Sequence, residues 1–322
     1  MKRLLLLTAV AGAVLAPATP AFAHAGDTGG VSDYRLTVTG LSTPLDGLTV
    51  RVVEGGARLE LSNETGRAIE VLGYSGEPYL EVRPDGTYEN VNSPATYVNE
   101  TLDGGTALPA GADPTAAPSW RRVSTDTTVR WHDQRTQWLE AGPPPQVAAD
   151  PGSGHRVRDW IIPLREQTRT FEIQGTLDYE PPPRAWAWWL GAALLAAAVA
   201  LVGRRPGAVT PLALLAGITT LWYAASRILD GGGWFGVPVL AGLLVCAAAF
   251  RHPPFYLALS GFVLAAFAGF GSAEVFTAAV VPAVGPGWLA RAAVAVAVGA
   301  GAGLALTGVL RLRAATPVVT PR

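Results

Sequence analysis

The amino-acid sequence predicts two domains: an exported, immunoglobulin-like β-sandwich and, after it, an all-α transmembrane domain of about five helices. Three observations support this prediction. The chain opens with a short apolar segment of the secretory type, residues 31–183 are polar and rich in turn residues, and charged residues nearly vanish between 185 and 312. The predicted divisions are a signal peptide at 1–23, a β domain at 24–180, a Pro-rich spacer at 181–184, a helical domain at 185–312 and a tail at 313–322.

The predicted signal peptide has three parts in the usual order. Residues 2–3 are basic, the apolar run at 4–16 is too short to cross a bilayer, and Ala21-Phe22-Ala23 supplies the small residues that signal peptidase requires. Cleavage after this motif leaves His24 as the first residue of the mature chain. The sequence therefore predicts that the following domain is extracytoplasmic.

A histidine at the mature N-terminus is a candidate metal ligand. The free α-amine, with an ordinary pKa of about 7.7–8.0, and the imidazole of His24 can close a chelate ring on one ion. Copper(II) is the first-row divalent ion that such a nitrogen-rich site binds most tightly. Asp27, three residues further on, can add an oxygen ligand. The alternative is that His24 binds nothing, because cleavage after Ala-x-Ala can leave any residue first and chain termini are commonly poorly ordered.

Alternating apolar and polar residues predict the strands of the β domain. Such runs occur at 35–39, 49–53, 58–61, 68–72, 129–134 and 171–177. Period-two runs separated by turn residues every 8–12 positions are typical of antiparallel sandwiches. Residues 90–118 break this rhythm, and we expect them to form a long ordered loop.

The densest chemical cluster lies at 131–138, where two tryptophans flank a run of polar residues. His132 is a candidate metal ligand, and Asp133 can orient that ligand or join the site. The alternative is structural: Arg135 stacks on an indole and pairs with Asp133 to form a corner. The sequence contains neither a Gly-x-Ser-x-Gly elbow nor a His-x-x-x-His pair, so we predict that the protein is not an enzyme.

Five apolar segments are long enough to be membrane-spanning helices. They cover residues 185–203, 211–226, 234–250, 255–273 and 288–310. Trp and Tyr residues gather at their ends, where aromatic side chains mark the headgroup level. Most arginines of this half follow the odd-numbered spans, which predicts a multi-pass membrane protein with a cytoplasmic C-terminus. Arg227 and Arg291 lie on the opposite side, and we expect their long side chains to reach the lipid–water interface.

Composition argues against several other classes of function. The net charge is −1 and no basic run occurs, so the electrostatic footprint of a nucleic-acid-binding protein is missing. Cys246 is the only cysteine, which excludes an internal disulfide and a cysteine-based zinc site. The predicted spans hold almost no ionisable residues, whereas a transporter needs polar groups at membrane depth. The lipid bilayer is thus the one partner that composition itself predicts.

Several short motifs carry a resemblance to known proteins. They are His24-Ala25-Gly26-Asp27, the turn at 73–79, Asn92-Ser93-Pro94-Ala95-Thr96 and Trp131-His132-Asp133. In these motifs the chain resembles actinobacterial membrane proteins that combine a signal peptide, a β-rich exported domain and several C-terminal helices. The resemblance to that group implies no particular activity for this chain. The histidine exposed by cleavage is also similar to that of exported copper-resistance sandwiches, which implies a copper site made from the terminal amine and histidine.

Two functional hypotheses follow. The first is a non-enzymatic protein of the cell envelope that faces outward and binds copper(II) for copper handling or delivery. Its ligands would be His24, His132, Asp27 and Asp133. The second is an interaction module that binds a partner protein or a wall polymer without metal. Its binding residues would be tryptophans together with Tyr74, Tyr79 and Tyr88.

Overall fold

The structure is a computed structural model that describes residues 29–232, 235–251 and 253–315. Within these residues an antiparallel β domain precedes a group of apolar helices. The predicted signal peptide, the candidate ligands His24 and Asp27, and the chain beyond residue 315 lie outside the described residues.

Ten strands of the described chain form the β domain. They are β1 (Tyr34–Leu41), β2 (Leu48–Val53), β3 (Arg58–Asn63), β4 (Ile69–Leu72), β5 (Pro78–Arg83), β6 (Gly86–Asn90), β7 (Trp120–Ser124), β8 (Thr128–Trp131), β9 (His155–Glu166) and β10 (Arg169–Tyr179). Seven strands make one sheet in the order β1-β10-β9-β4-β5-β6-β7, and three make a second sheet in the order β2-β3-β8. All of the pairings are antiparallel.

The two sheets share one hydrophobic core. Leu59 and Leu61 of the smaller sheet and Ile69, Ile162 and Ile173 of the larger sheet belong to a single cluster of buried side chains. This core forms because alternate residues of each strand point to the same face. The division into seven and three strands differs from the four and three of immunoglobulin constant domains. A large antiparallel β domain is therefore confirmed, and its immunoglobulin-like character stays a prediction.

The long connection between β6 and β7 is ordered by its own hydrogen bonds. It contains a single-turn helix, α1 (Pro94–Val98), whose N-cap Ser93 accepts a hydrogen bond from the Ala95 amide. The Thr96 hydroxyl donates to the Asn90 carbonyl at 2.7 Å, and the Tyr97 hydroxyl donates to the Val91 carbonyl at 2.9 Å. The prediction of a long ordered loop is confirmed.

A second short helix, α2 (Pro145–Ala149), lies in the connection between β8 and β9.

Five apolar helices follow the β domain. They are α3 (Ala185–Val202), α4 (Pro206–Leu229), α5 (Gly236–Arg251), α6 (Pro254–Val263) and α7 (Gly287–Ala315). A π-helical stretch (Leu264–Gly269) and a 3-10 stretch (Phe270–Phe276) extend α6. Among the described residues, four helices are long and apolar enough to cross a membrane: α3, α4, the extended α6 and α7. The 16 residues of α5 rise about 24 Å, less than the roughly 30 Å of a hydrocarbon core. The predicted count of five spans is therefore not confirmed.

Helix α7 forms the centre of the helical domain. In an apolar 18-residue stretch of α7, 67% is buried inside the protein, whereas only 17% of α3 is buried. Close approach to α6 depends on Gly301, because a Cβ there would stand 2.8 Å from the Ala265 backbone nitrogen. Small residues of this kind let membrane helices pack backbone to backbone.

The β domain is hydrogen-bonded to the helical domain at two places, which we call the domain junction. Ser32 and Val280 exchange two backbone hydrogen bonds of 3.1 and 2.7 Å. At the other place, the Glu54 amide donates to the Asp230 carbonyl at 2.7 Å, and the Gly55 amide donates to the Asp230 carboxylate at 2.9 Å. Asp230 directly follows α4, so the junction connects the end of this apolar helix to the turn after β2.

Candidate functional site

His132 lies in a buried network behind the turn at Glu54–Gly56. Its side chain follows β8 and is 2% exposed. Nδ1 lies 2.8 Å from the Ala57 carbonyl oxygen, and Nε2 lies 3.1 Å from Nε of Arg58. Because a carbonyl oxygen only accepts, we assign the proton to Nδ1, and Nε2 then accepts from the guanidinium. Both ring nitrogens therefore have protein partners, and a metal ion at Nε2 would have to displace Arg58.

The turn that His132 supports is also the turn that reaches the helices. Glu54 is 5% exposed and has a left-handed φ of 56°, a conformation that costs a residue with a Cβ about 1–2 kcal/mol. Arg58 Nη1 lies 3.4 Å from the Glu54 carboxylate, and the Gln137 side-chain amide donates to the Gly56 carbonyl at 2.8 Å. These contacts hold the strained turn against Asp230.

Asp133 belongs to a different network. Its carboxylate is 0% exposed and accepts hydrogen bonds from Arg135 Nε at 2.8 Å, from Arg135 Nη2 at 2.7 Å and from the Trp131 indole at 3.1 Å. The Arg135 guanidinium lies 4.9 Å from the centroid of the Tyr74 ring. The predicted pair with Asp133 is therefore present. The predicted stacking partner was wrong, since the ring is a phenol and not an indole.

The two described candidate ligands are consecutive in sequence but have separate partners. His132 bonds to Ala57 and Arg58, whereas Asp133 bonds to Arg135 and Trp131. No group of three or more His, Cys, Asp or Glu side chains within the described part of the chain could hold a metal ion. A site that uses His24 or Asp27 would extend beyond that part, so the copper hypothesis stays a prediction.

The first described residue brings the N-terminal segment close to this region. Gly29 lies directly against Glu54: a Cβ on Gly29 would stand 1.8 Å from the Glu54 carbonyl oxygen. Only a residue without a side chain fits there. Four residues lie between His24 and Gly29, which makes five steps along the chain, and a fully extended chain spans at most about 3.6 Å per step. A mature terminus at His24 would thus lie within about 18 Å of the turn that His132 supports.

The three tyrosines of the second hypothesis do not form one exposed patch. Tyr79 is 4% exposed and belongs to the core, and Tyr88 packs under Arg83, whose guanidinium lies 4.0 Å from its ring centroid. Tyr74 is 39% exposed, and burial of the rest of the ring raises its pKa above the ordinary value. Tyr74 is therefore exposed, Tyr88 is partly exposed with its hydroxyl bonded to Asp85, and Tyr79 is buried.

Tyr74 forms one wall of a shallow, open cleft. The lining side chains are mostly polar and include two cations and one carboxylate: Tyr74, Gln134, Arg135, Gln137, Leu139, Glu140 and Arg158. The Arg158 guanidinium lies 5.2 Å from the centroid of the Trp138 ring, so each cation stacks on an aromatic side chain. Stacked guanidinium groups beside amide side chains can bind polar, anionic partners.

Arg227 and Arg291 are covered by protein, and the expectation that their side chains reach the lipid–water interface stays a prediction. Arg227 is 9% exposed and Arg291 is 8% exposed. Arg291 donates to the Val275 carbonyl at 2.9 Å and to the Ala278 and Ala279 carbonyls at 2.6 Å each. These carbonyls belong to the segment before α7 that bonds to Ser32. Their clustering arises from tertiary packing, so it could not be predicted from sequence periodicity.

Comparison with known proteins finds no matching family model, no matching curated protein and no matching solved structure.

Proposed function

We propose that this chain is a non-enzymatic protein of the cell envelope that binds copper(II) at its processed N-terminus. The apolar helices indicate membrane association. In the proposal they anchor the protein with its β domain outside and its C-terminus in the cytoplasm, as the signal sequence and the arginine distribution predict. The role would be copper handling or delivery.

The observation that best supports the proposal is the position of Gly29 against Glu54. It restricts a terminus at His24 to the neighbourhood of the turn behind which His132 lies. Restriction of this kind lowers the entropy cost of bringing ligands together, because fewer conformations are lost when the metal binds.

The amine and imidazole of His24 are the primary ligands in this proposal. His132 is the third, and its Nε2 becomes available when Arg58 moves toward the Glu54 carboxylate, which is already 3.4 Å away. Asp27 is a better oxygen donor than Asp133, because the Asp133 carboxylate is occupied by Arg135 and Trp131. Copper must displace the Arg58 guanidinium from His132 Nε2, so this site would bind copper less tightly than one whose ligand nitrogens are free.

The test is a calorimetric titration of the full-length, processed protein in detergent with copper(II). We expect His24→Ala to weaken binding by about a hundredfold or more, which corresponds to about 2.8 kcal/mol. His155→Ala is the matched control, because that imidazole bonds to the Asp150 carbonyl at an exposed turn. Isotherms of His24→Ala that superimpose on those of the unchanged protein would contradict the proposal.

The second candidate function is binding of an anionic wall polymer by the cleft beside Tyr74. The observation that favours it is the Arg158 guanidinium, which lines the cleft and stacks on Trp138; Arg135 is already paired with Asp133. Arg158→Ala is the informative change, because Arg135 also supports Asp133 and its loss would disturb the fold.

Sedimentation of full-length protein with purified wall polymer tests this second function. We expect Arg158→Ala to reduce the bound fraction severalfold, while Arg156→Ala, which removes an exposed cation paired with Asp159 and Asp178, leaves it unchanged. Equal binding by both variants would count against the cleft.

A further inference from the structure

Arg227 is a buried cation that forms no direct ion pair, although the Asp230 carboxylate lies near enough to interact with it electrostatically. Its guanidinium lies 3.5 Å from the Tyr223 hydroxyl and 4.7 Å from the Phe235 ring centroid. Its Nε is buried and has no hydrogen-bond partner. Among the ion pairs of the described residues, none includes Arg227. A buried charge normally requires a partner, because the desolvation cost is several kcal/mol.

Arg291 shows that this end of the helical domain can satisfy a buried guanidinium with backbone. Three carbonyl oxygens accept hydrogen bonds from Arg291. The two arginines are about equally buried, but Arg291 donates to three carbonyls, whereas the Arg227 guanidinium donates only a long hydrogen bond to Tyr223 and its Nε has no acceptor. The missing acceptor at Arg227 therefore points to a ligand from outside the chain.

The position of Arg227 along α4 indicates what that ligand is. Exposed tryptophans on three helices, Trp186, Trp222 and Trp288, mark the headgroup level on the side of the β domain. Arg227 comes five residues after Trp222, about 7.5 Å further along the helix axis. The headgroup region is about 5–8 Å thick on each side of the hydrocarbon core. The guanidinium is thus at the depth of phospholipid phosphates.

We propose that Arg227 binds the phosphate of a phospholipid headgroup on the β-domain side of the membrane. The Nε edge of the guanidinium donates to the phosphate in the forked geometry that arginine forms with this group. Tyr223 and Phe235 fix the guanidinium orientation from its other edge and from one face. The site ties a lipid to the end of α4, one turn from Asp230 and the domain junction. This inference is independent of copper binding.

Native mass spectrometry of the full-length protein in detergent, titrated with phosphatidylglycerol, tests the proposal. We expect Arg227→Gln to weaken the first lipid-binding step by roughly 10- to 100-fold, the loss for a charge-assisted hydrogen bond. Arg204→Gln is the matched control, since it removes an exposed cation from the opposite end of the helices; its affinity should stay within about twofold of the unchanged protein. Equal affinities for Arg227→Gln and the unchanged protein would overturn the proposal.

Two further measurements identify the ligand and control for misfolding of the variant. Inorganic phosphate in place of the lipid should fail to compete at equal concentration, and full competition would overturn the assignment to a lipid. Without lipid, Arg227→Gln should unfold at a temperature no lower than the unchanged protein, because no strong bond is lost. If that variant does not fold, Arg227→Lys replaces it; one ammonium cannot make the forked contact, and we expect about tenfold weaker binding.

Discussion

Buried charges in the β domain and in the helical domain are stabilised in different ways. In the β domain, the Asp133 carboxylate accepts hydrogen bonds from the side chains of Arg135 and Trp131. In the helical domain, Arg291 donates hydrogen bonds to backbone carbonyls, whereas the Nε of Arg227 has no acceptor. The fold itself thus satisfies Asp133 and Arg291, whereas in our proposal a lipid phosphate satisfies the Nε of Arg227.

The largest effect should come from breaking the Asp133 network. We expect Asp133→Ala to lower the free energy of unfolding of the β domain by about 3–5 kcal/mol, because it leaves the Arg135 charge and the Trp131 indole without their acceptor. Chemical denaturation followed by tryptophan fluorescence measures the change. Asp159→Ala is the control: its carboxylate is 78% exposed and pairs with Arg156, so its loss should cost less than about 1 kcal/mol. A loss of that small size for Asp133→Ala would contradict a structural role.

Arg291→Gln should have the next largest effect, about 3 kcal/mol, because three carbonyls lose a charged donor. The loss should be local as well, since the Val280 amide that bonds to Ser32 belongs to the same segment. Hydrogen exchange of the Val280 amide should therefore become faster in Arg291→Gln and stay unchanged in Arg227→Gln. Equal acceleration in the two variants would remove the distinction between the two arginines.

His132→Ala should destabilise the protein by about 1–3 kcal/mol, because the Ala57 carbonyl and the Arg58 guanidinium both lose a partner. The effect should concentrate at the turn that bonds to Asp230, visible as faster exchange of the Glu54 and Gly55 amides. His155→Ala provides the comparison and should change stability by about 1 kcal/mol or less, since His155 is the first residue of β9 and its imidazole makes one hydrogen bond, to the Asp150 carbonyl. Unchanged exchange at Glu54 would show that His132 does not support the turn.

Much of the architecture, but little of the site, could be predicted from sequence. Strands β1, β2, β3 and β10 lie where alternation predicts them, since residues i and i+2 share a face whatever the rest of the chain does. The role of His132 could not be predicted, because its partner Ala57 is 75 residues away. The glycines after Glu54 indicate a turn, but not that Asp230 lies against it. Long-range partners are set by tertiary packing, which periodicity does not report.

The smallest effect concerns the exposed pair of Arg35 and Glu180 before the Pro-rich spacer. The hydrogen bond from Arg35 lowers the pKa of the Glu180 carboxyl below its ordinary value of about 4.3. Because the folded-state pKa is the lower one, the pair stabilises the fold above about pH 4.3, and this contribution is lost as pH falls through the folded-state pKa. Both side chains are more than a third exposed, so the contribution is below about 1 kcal/mol. Glu180→Gln should accordingly flatten the dependence of unfolding free energy on pH in this acidic window, and an unaltered slope would show that the pair adds nothing.

The copper proposal depends on where the mature chain begins, because the amine and the imidazole must belong to the same residue. Intact-mass and N-terminal peptide analysis of the protein purified from membranes measures this directly. The account predicts a mature chain that starts at His24. A chain that starts at any other residue would contradict it, whatever the affinity of the rest of the protein for copper.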